Sequence, residues 1–452
     1  MSNKIHIANV FIVNEGSICK GDVIIEDEFI RTVSVNSFLR AESDARYINA
    51  EGLYLLPGII DDQVHFREPG LTHKADILHE SRAAVAGGVT SFMEMPNTKP
   101  AALTLELLEQ KYELARKDSM ANYSFYMGVS NDNAEEVLKT PLDSVCGLKV
   151  FLGSSTGNLL VNNMDTLVRI FSSTKHIIAA HCEDDFIIAE NLEKFQNEYG
   201  DNIPITKHHL IRNVEACFKS SSAAVELAKK HNTRLHVFHL STEDELMLFD
   251  KNIPIEEKRI TAEACVHHLW YSSDDYDALG SKIKWNPAIK EKHHRDALRK
   301  ALRDGTIDVV ATDHAPHLLE EKSNPYTACP SGAPIIQFSL QIMLELVKQN
   351  VIQVEDVVRL MCHNPSKLFR IRKRGFIREG WYADLVLVNL NQSQMVSEEN
   401  IFSKCAWSPL EGTVFSSTIE TTFINGKIAW NAGNFNEHDS VRGQRLYFDR
   451  KD

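Results

Sequence analysis

Leu55-Leu56-Pro57-Gly58-Ile59-Ile60-Asp61-Asp62-Gln63-Val64-His65-Phe66-Arg67-Glu68-Pro69-Gly70 runs from an apolar strand into a polar loop. Residues 63 and 65 lie two apart, so on an extended strand both side chains point to one side. Two histidines at that spacing grip one metal ion, but here the first position is Gln63 and only the second, His65, is an imidazole. An apolar run ending in ionisable residues recurs down the chain. Eight candidate strands fall near 55–60, 90–95, 123–129, 146–151, 176–181, 234–240, 258–264 and 307–312. Their cores are near-continuous apolar or β-branched runs, as expected of strands buried on both faces.

Helical patterns lie between many of these strands, as over Leu103 to Lys117, Val214 to His231 and His293 to Arg303. Eight repeats of strand then helix predict an α/β fold, a (β/α)₈ TIM-type barrel. Both ends of the chain read differently. Lys4 to Val10, Gly21 to Glu26, Ala383 to Val388 and Thr421 to Lys427 are β-rich, with turn residues around them. The expected organisation is a small β-sandwich domain from residues 1–54 plus 378–452 and a barrel over 55–377. No sequence repeat, low-complexity stretch or disordered linker interrupts it.

The charge balance narrows the function. The 452 residues carry 49 basic and 62 acidic side chains, a net charge of −13. That field repels nucleic acid and anionic membranes, so neither is an expected partner. No apolar run approaches the roughly 20 residues that span a bilayer, and the start, Met1-Ser2-Asn3-Lys4-Ile5-His6, lacks a signal-peptide core. Eight cysteines without a Cys-x-x-Cys pair read as reduced thiols in a cytoplasmic protein.

In a barrel of this kind, chemistry sits at the C-terminal ends of the strands. Those ends carry Gln63 and His65, then Asn97, Lys149, His181, His239 and Asp313. Imidazole nitrogens and carboxylate oxygens are the usual ligands of a catalytic zinc, and His65, His181, His239 and Asp313 supply them. Lys149 is out of place as an ammonium, but its amine can react with CO₂ to give a carbamate that bridges two metals. A hydroxide held between two metals is a nucleophile near neutral pH, and Asp313 can take its proton and pass it to a leaving nitrogen. Each residue also has a plainer reading. A lone strand histidine such as His236 is more often structural or exposed than a ligand, a strand-end aspartate often caps a helix, and an arginine such as Arg67 often pairs with a neighbour like Glu68. The His208-His209, His267-His268 and His293-His294 pairs are expected on solvated faces or in supporting positions. The common register at strand ends one, four, five, six and eight is what favours a site.

Asp-x-x-Val-His-Phe-Arg-Glu-Pro-Gly at 61–70, Met95-Pro96-Asn97-Thr98 and Thr312-Asp313-His314-Ala315-Pro316-His317 resemble dihydroorotases of the amidohydrolase superfamily, most of all the bacterial class I type. Gly147-Leu148-Lys149, Ala180-His181, Phe238-His239-Leu240-Ser241 and Asn286-Pro287-Ala288 follow in the matching order. The resemblance implies the barrel, the small β-sandwich, and zinc-dependent reversible cyclisation of N-carbamoyl-L-aspartate to L-dihydroorotate in de novo pyrimidine (UMP) biosynthesis. It implies one or two Zn²⁺ per chain on His65, carboxylated Lys149, His181, His239 and Asp313, with Asp313 also the acid/base. Arg67, Asn97 and His317 would hold the substrate carboxylate, Asn286 would contact the ring, and Pro330-Ser331-Gly332 falls at a substrate loop. A homodimer and association with another pyrimidine-pathway enzyme are further expectations.

Two positions depart from that pattern: Gln63 stands where the family has a ligand histidine, and Val266 where it has proline. Glutamine is a neutral, weaker ligand, which predicts one weak metal site. It also keeps two alternatives open: another cyclic amidase, of the dihydropyrimidinase or allantoinase kind, or a non-catalytic homologue acting as a scaffold. Arg67 favours dihydroorotate among the rings, because allantoin and simple hydantoins carry no carboxylate for its planar fork.

Overall fold

The structure is a computed structural model that describes residues 3–40, 42–153, 159–436 and 441–450. Its body is built from parallel strands with helices between them. In chain order the strands are Ile59–Val64, Val89–Glu94, Asn122–Phe125 continued by Met127–Gly128, Leu148–Leu152, Ile177–Cys182, Arg234–Val237, Ile260–Cys265 and Val309–Ala311. Each pairs in parallel with the next, in a three-stranded and a six-stranded sheet. A parallel bridge from Val64 to His314 joins the end of the first strand to the segment after the last. Nearly every residue of these strands is buried, which is why they read as continuous apolar runs rather than alternating ones.

The strand expected over 55–60 is two strands. Tyr54–Pro57 belongs to a separate nine-stranded sheet, and Ile59–Val64 starts the parallel series. Gly58 makes the switch possible. A Cβ there would lie 2.1 Å from the Thr90 hydroxyl, so only glycine leaves room for the branched Thr90 side chain packed against it. The nine-stranded sheet draws on both ends of the chain: Lys4–Asn14, Ser17–Glu26, Phe29–Val35 and Arg46–Asn49 from one, Leu385–Asn389, Thr418–Ile424, Lys427–Asn431 and Asn434–Phe435 from the other. Its core is separate, formed by residues such as Ile7, Val10, Val23, Leu385 and Phe423. Residues 441–450, assigned by sequence to the terminal unit, instead lie along the parallel body. Tyr123 pairs with Arg445, Leu446 and Phe448 are buried, and the Arg450 guanidinium donates to the carbonyls of Cys146 and Phe369.

The helices start where short polar side chains cap them. Asp76 accepts from the His79 amide ahead of Ile77–Ala86, and Asn213 from the Ala216 amide ahead of Val214–His231. All eight cysteines are free. Among the described residues, no helix is long and apolar enough to cross a membrane.

Candidate active site

At the C-terminal ends of the parallel strands, one cavity of about 210 Å³ is lined by Gln63, His65, Arg67, Asn97, Lys149, His181, His239, Asn286, Asp313 and His317. Every residue singled out from the sequence is therefore brought together. Trp285, Phe151 and the Pro330-Ser331-Gly332 loop complete the wall. Three of the polar residues sit in left-handed backbone: Arg67 at φ 69°, His239 at φ 38° and Asp313 at φ 46°. That conformation costs a non-glycine residue about 1–2 kcal/mol, and such strain clusters where geometry serves function. Each turns the chain sharply just beyond a strand and aims a side chain across the cavity.

Two of the imidazoles, His65 and His239, are held neutral. Burial pushes His65 down and His239 well below the usual histidine range, the latter helped by His181 beside it. Tautomers follow from the partners. Asn97 Oδ1 lies 2.9 Å from His65 Nδ1, so it accepts that proton and leaves Nε2 free, 3.1 Å from Asp313 Oδ1. Glu183, itself paired with Arg212, lies 3.0 Å from His181 Nε2 and takes that proton. His181 Nδ1 then points its lone pair at His239 Nε2, 2.9 Å away, while His239 Nδ1 has no partner among the described residues. His239 Nε2 therefore either donates to His181 Nδ1 or, with a divalent metal in place, would turn its lone pair to the ion beside that of His181, since two ligands of a tetrahedral zinc sit about 3.3 Å apart.

Lys149 fits the same picture. Its side-chain nitrogen is buried without a hydrogen-bond partner among the described residues, 4.6 Å from the Phe151 ring and 4.3 Å from the Phe238 ring. Burial lowers its pKa to about 7, so a neutral amine is present near neutral pH. Gln63 fits less well. Its amide nitrogen faces Asp313 Oδ1 at 3.3 Å and its carbonyl faces the Cys265 thiol at 3.5 Å. The cavity thus receives an N–H donor from Gln63, which cannot ligate a cation.

On the opposite wall the charge is positive. Arg67 is 8% exposed and makes no ion pair among the described residues. Glu68 instead accepts from the Ile77 amide, so the expected Arg67–Glu68 pair is absent among the described contacts. Arg67 Nε donates to the Pro316 carbonyl at 3.1 Å, and Nη2 lies 2.9 Å from His317 Nε2. Lys74 Nζ lies 3.0 Å from His317 Nδ1. A neutral imidazole has one acceptor nitrogen and cannot accept from both cations. Burial and the two cations hold His317 far below the usual range, so protonation does not resolve the crowding. An anion would. Arg67 stays charged, with burial lowering its pKa only to about 10.

Several supports were not legible in the sequence. Asp61 accepts from the Thr312 hydroxyl at 2.6 Å and ties the first strand to the loop of Asp313. Glu263 accepts the His239 amide at 3.0 Å. Of the histidine pairs expected on solvated faces or in supporting positions, His208, His267, His268 and His294 are buried. The His267 ring stacks on Trp285 at 4.2 Å, which steadies the cavity wall. His236 is wholly buried between Asp62 and Glu263, which rules out the exposed reading and leaves the structural one standing.

An α/β body with a cavity of imidazoles, a neutralised lysine and a carboxylate at its strand ends defines a hydrolase-type enzyme. Residues 54–429 match the amidohydrolase family, and the chain belongs to it. Among curated relatives it is 33% identical to a dihydroorotase of Methanosarcina acetivorans, over 94% of this chain and 92% of that protein. A dihydroorotase of Bacillus pumilus is 29% identical over 94% of this chain and 98% of its own. Among solved structures, L-hydantoinase (dihydropyrimidinase) from Arthrobacter aurescens superposes with a TM-score of 0.92 at 24% identity, covering 99% and 100% of the two chains. Dihydropyrimidinase from Brevibacillus agri gives 0.87 at 25% identity, covering 99% and 100%.

Proposed function

We propose that this chain is a dihydroorotase, which interconverts L-dihydroorotate and N-carbamoyl-L-aspartate. The observation that carries the reading is Arg67, a buried cation on the cavity wall without an ion-pair partner among the described residues, pressed against His317 beside a second cation, Lys74. A substrate carboxylate supplies the missing partner, and Arg67 can meet it with a two-pronged charge-assisted contact. Asn97 assists, because its carbonyl is used by His65 and its amide N–H groups remain for the ligand. Asn286, whose carbonyl accepts from Ser331 at 3.0 Å, has its own amide N–H groups left for the ring. The hydantoinase likeness is one of fold and carries no substrate. The dihydroorotase names of the curated relatives point the same way as Arg67.

The fold reading goes with it: a closed (β/α)₈ barrel over about 55–377, with a small β-sandwich from the two ends. His181, His239, Asp313, His65 and Lys149 as its carbamate would hold zinc. When bound, zinc supplies Lewis acidity that polarises water and the ring amide. The chain's own residues do the rest. Arg67, Asn97 and His317 fix the carboxylate, which sets which ring carbonyl faces Asp313. The Asp313 carboxylate takes the proton of the attacking water and delivers it to the leaving ring nitrogen. Ring closure reverses both transfers. The buried, left-handed backbone at Asp313 holds that carboxylate in place, so little reorganisation accompanies reaction.

A crystal structure with L-dihydroorotate tests this. The carboxylate is expected within hydrogen-bond distance of Arg67 and Asn97, with the scissile carbonyl toward Asp313. A ligand bound with its carboxylate away from Arg67 would overturn the assignment.

A further inference from the structure

Directly beneath the cavity floor, inside the ring of parallel strands, three ionisable side chains converge. Asp62 comes from the first strand, His236 from the sixth and Glu263 from the seventh, and each is wholly buried. Their nearest ligand atoms all lie within 4.8 Å of one another. We propose that Asp62, His236 and Glu263 form a separate divalent-metal site, taking zinc or a similar first-row ion below the active-site cavity.

The tautomer of His236 is set by its other nitrogen. Nδ1 lies 2.8 Å from the Thr261 hydroxyl, whose own proton goes to the Leu235 carbonyl. The hydroxyl therefore accepts, Nδ1 carries hydrogen, and the neutral ring presents a bare lone pair at Nε2. That lone pair faces two carboxylates, Asp62 Oδ2 at 3.1 Å and Glu263 Oε2 at 3.6 Å. Burial disfavours the charged ring, but the hydrogen bonds to Asp62 and Glu263 outweigh it and raise the His236 pKa to about 9, so the two carboxylates call for a positive charge at this point, a proton or a metal ion. The spacing of the three atoms brackets the roughly 3.3 Å between neighbouring ligands of a tetrahedral zinc.

A proton on Nε2 is the rival occupant, and it satisfies less. One N–H donates well to one carboxylate. Among the described residues, Asp62 Oδ1 and Glu263 Oε2 both lack a hydrogen-bond partner and are shielded from solvent. A buried carboxylate oxygen left unmatched is expensive. A divalent cation matches both carboxylates and the imidazole at once and leaves the cluster electrically neutral. Neutrality matters here, because the imidazole is walled by the rings of Phe238 at 5.4 Å and Phe369 at 5.9 Å.

The site reaches the cavity through its own ligand. Glu263 Oε1 accepts the His239 amide at 3.0 Å and lies 3.4 Å from the Cys265 thiol, which in turn lies 3.5 Å from Gln63 Oε1. An ion on Oε2 fixes the Glu263 carboxylate, and with it the left-handed turn that aims His239.

The test uses zinc alone on the full chain. Anomalous diffraction across the zinc edge should give a peak about 2.0–2.2 Å from His236 Nε2 and the facing carboxylate oxygens, separate from any peak at His181 and His239. Asp62→Asn keeps the side chain's shape and should lower the zinc content by one ion per chain. A His181→Ala, His239→Ala double variant, which strips the cavity, should still retain that one ion. A zinc content unchanged by Asp62→Asn, or cavity peaks with none at His236, would overturn the site.

Discussion

Replacing Arg67 by methionine removes the charge and keeps much of the volume. In the free protein the guanidinium is buried, donates from Nε to one backbone carbonyl, and shares His317 with Lys74. Truncating one partner of a desolvated charge pair costs about 2–5 kcal/mol. At about 1.4 kcal/mol per factor of ten, kcat/KM for L-dihydroorotate should fall roughly 30-fold to several thousand-fold. The same substitution should barely touch any turnover of dihydrouracil, which has no carboxylate to lose. Stability should move the other way, because a buried cation without an acidic partner is a desolvation cost in the free protein. The variant should melt no lower than the parent. Steady-state ring-opening rates on both compounds, with a thermal melt on the same preparation, read all three quantities. A loss of less than about threefold on L-dihydroorotate, or an equal loss on both rings, would refute the carboxylate role.

Asp313→Asn should lower turnover by about 10²–10⁴ in both directions, and a near-normal rate would remove Asp313 from proton transfer. Lys149, protonated below its pKa of about 7 and neutral above it, should take up ¹³C-bicarbonate as a carbamate increasingly from about pH 6 to 8 rather than near 10; a carbamate NMR signal absent at pH 8 would contradict this. Lys149→Ala should lose both that signal and part of the bound metal. Gln63→His replaces an N–H donor by an imidazole lone pair beside Asp313 and should raise the metal retained after dialysis; equal content in both proteins would show that Gln63 does not weaken a site.

Much of this site was legible because buried parallel strands leave a simple trace. Their interiors are continuously apolar, so Lys149, His181, His239 and Asp313 stand out where each run ends. Arg67 was legible for a related reason, since it follows His65 at the spacing of an extended segment. What was not legible depends on tertiary partners. His236 looks like any strand histidine until Asp62 and Glu263 arrive from strands far away in sequence. The Gln63 amide shows a donor to the cavity only because Asp313 and Cys265 lie on either side of it. Trp285 and Ser331 come from irregular segments with no periodicity to betray them. The apolar run at 55–60 reads as one strand because Pro57 and Gly58 sit inside it, and only the pairing partners on either side show that the chain changes sheets there.

The central claim is a substrate claim, and turnover tests it most directly. The purified full chain, with zinc counted on the same sample, should open L-dihydroorotate and close N-carbamoyl-L-aspartate while leaving dihydrouracil and allantoin essentially untouched. Turnover of the carboxylate-free rings in preference would make it another cyclic amidase. No turnover of any compound by the zinc-loaded chain would contradict catalysis and leave a scaffold.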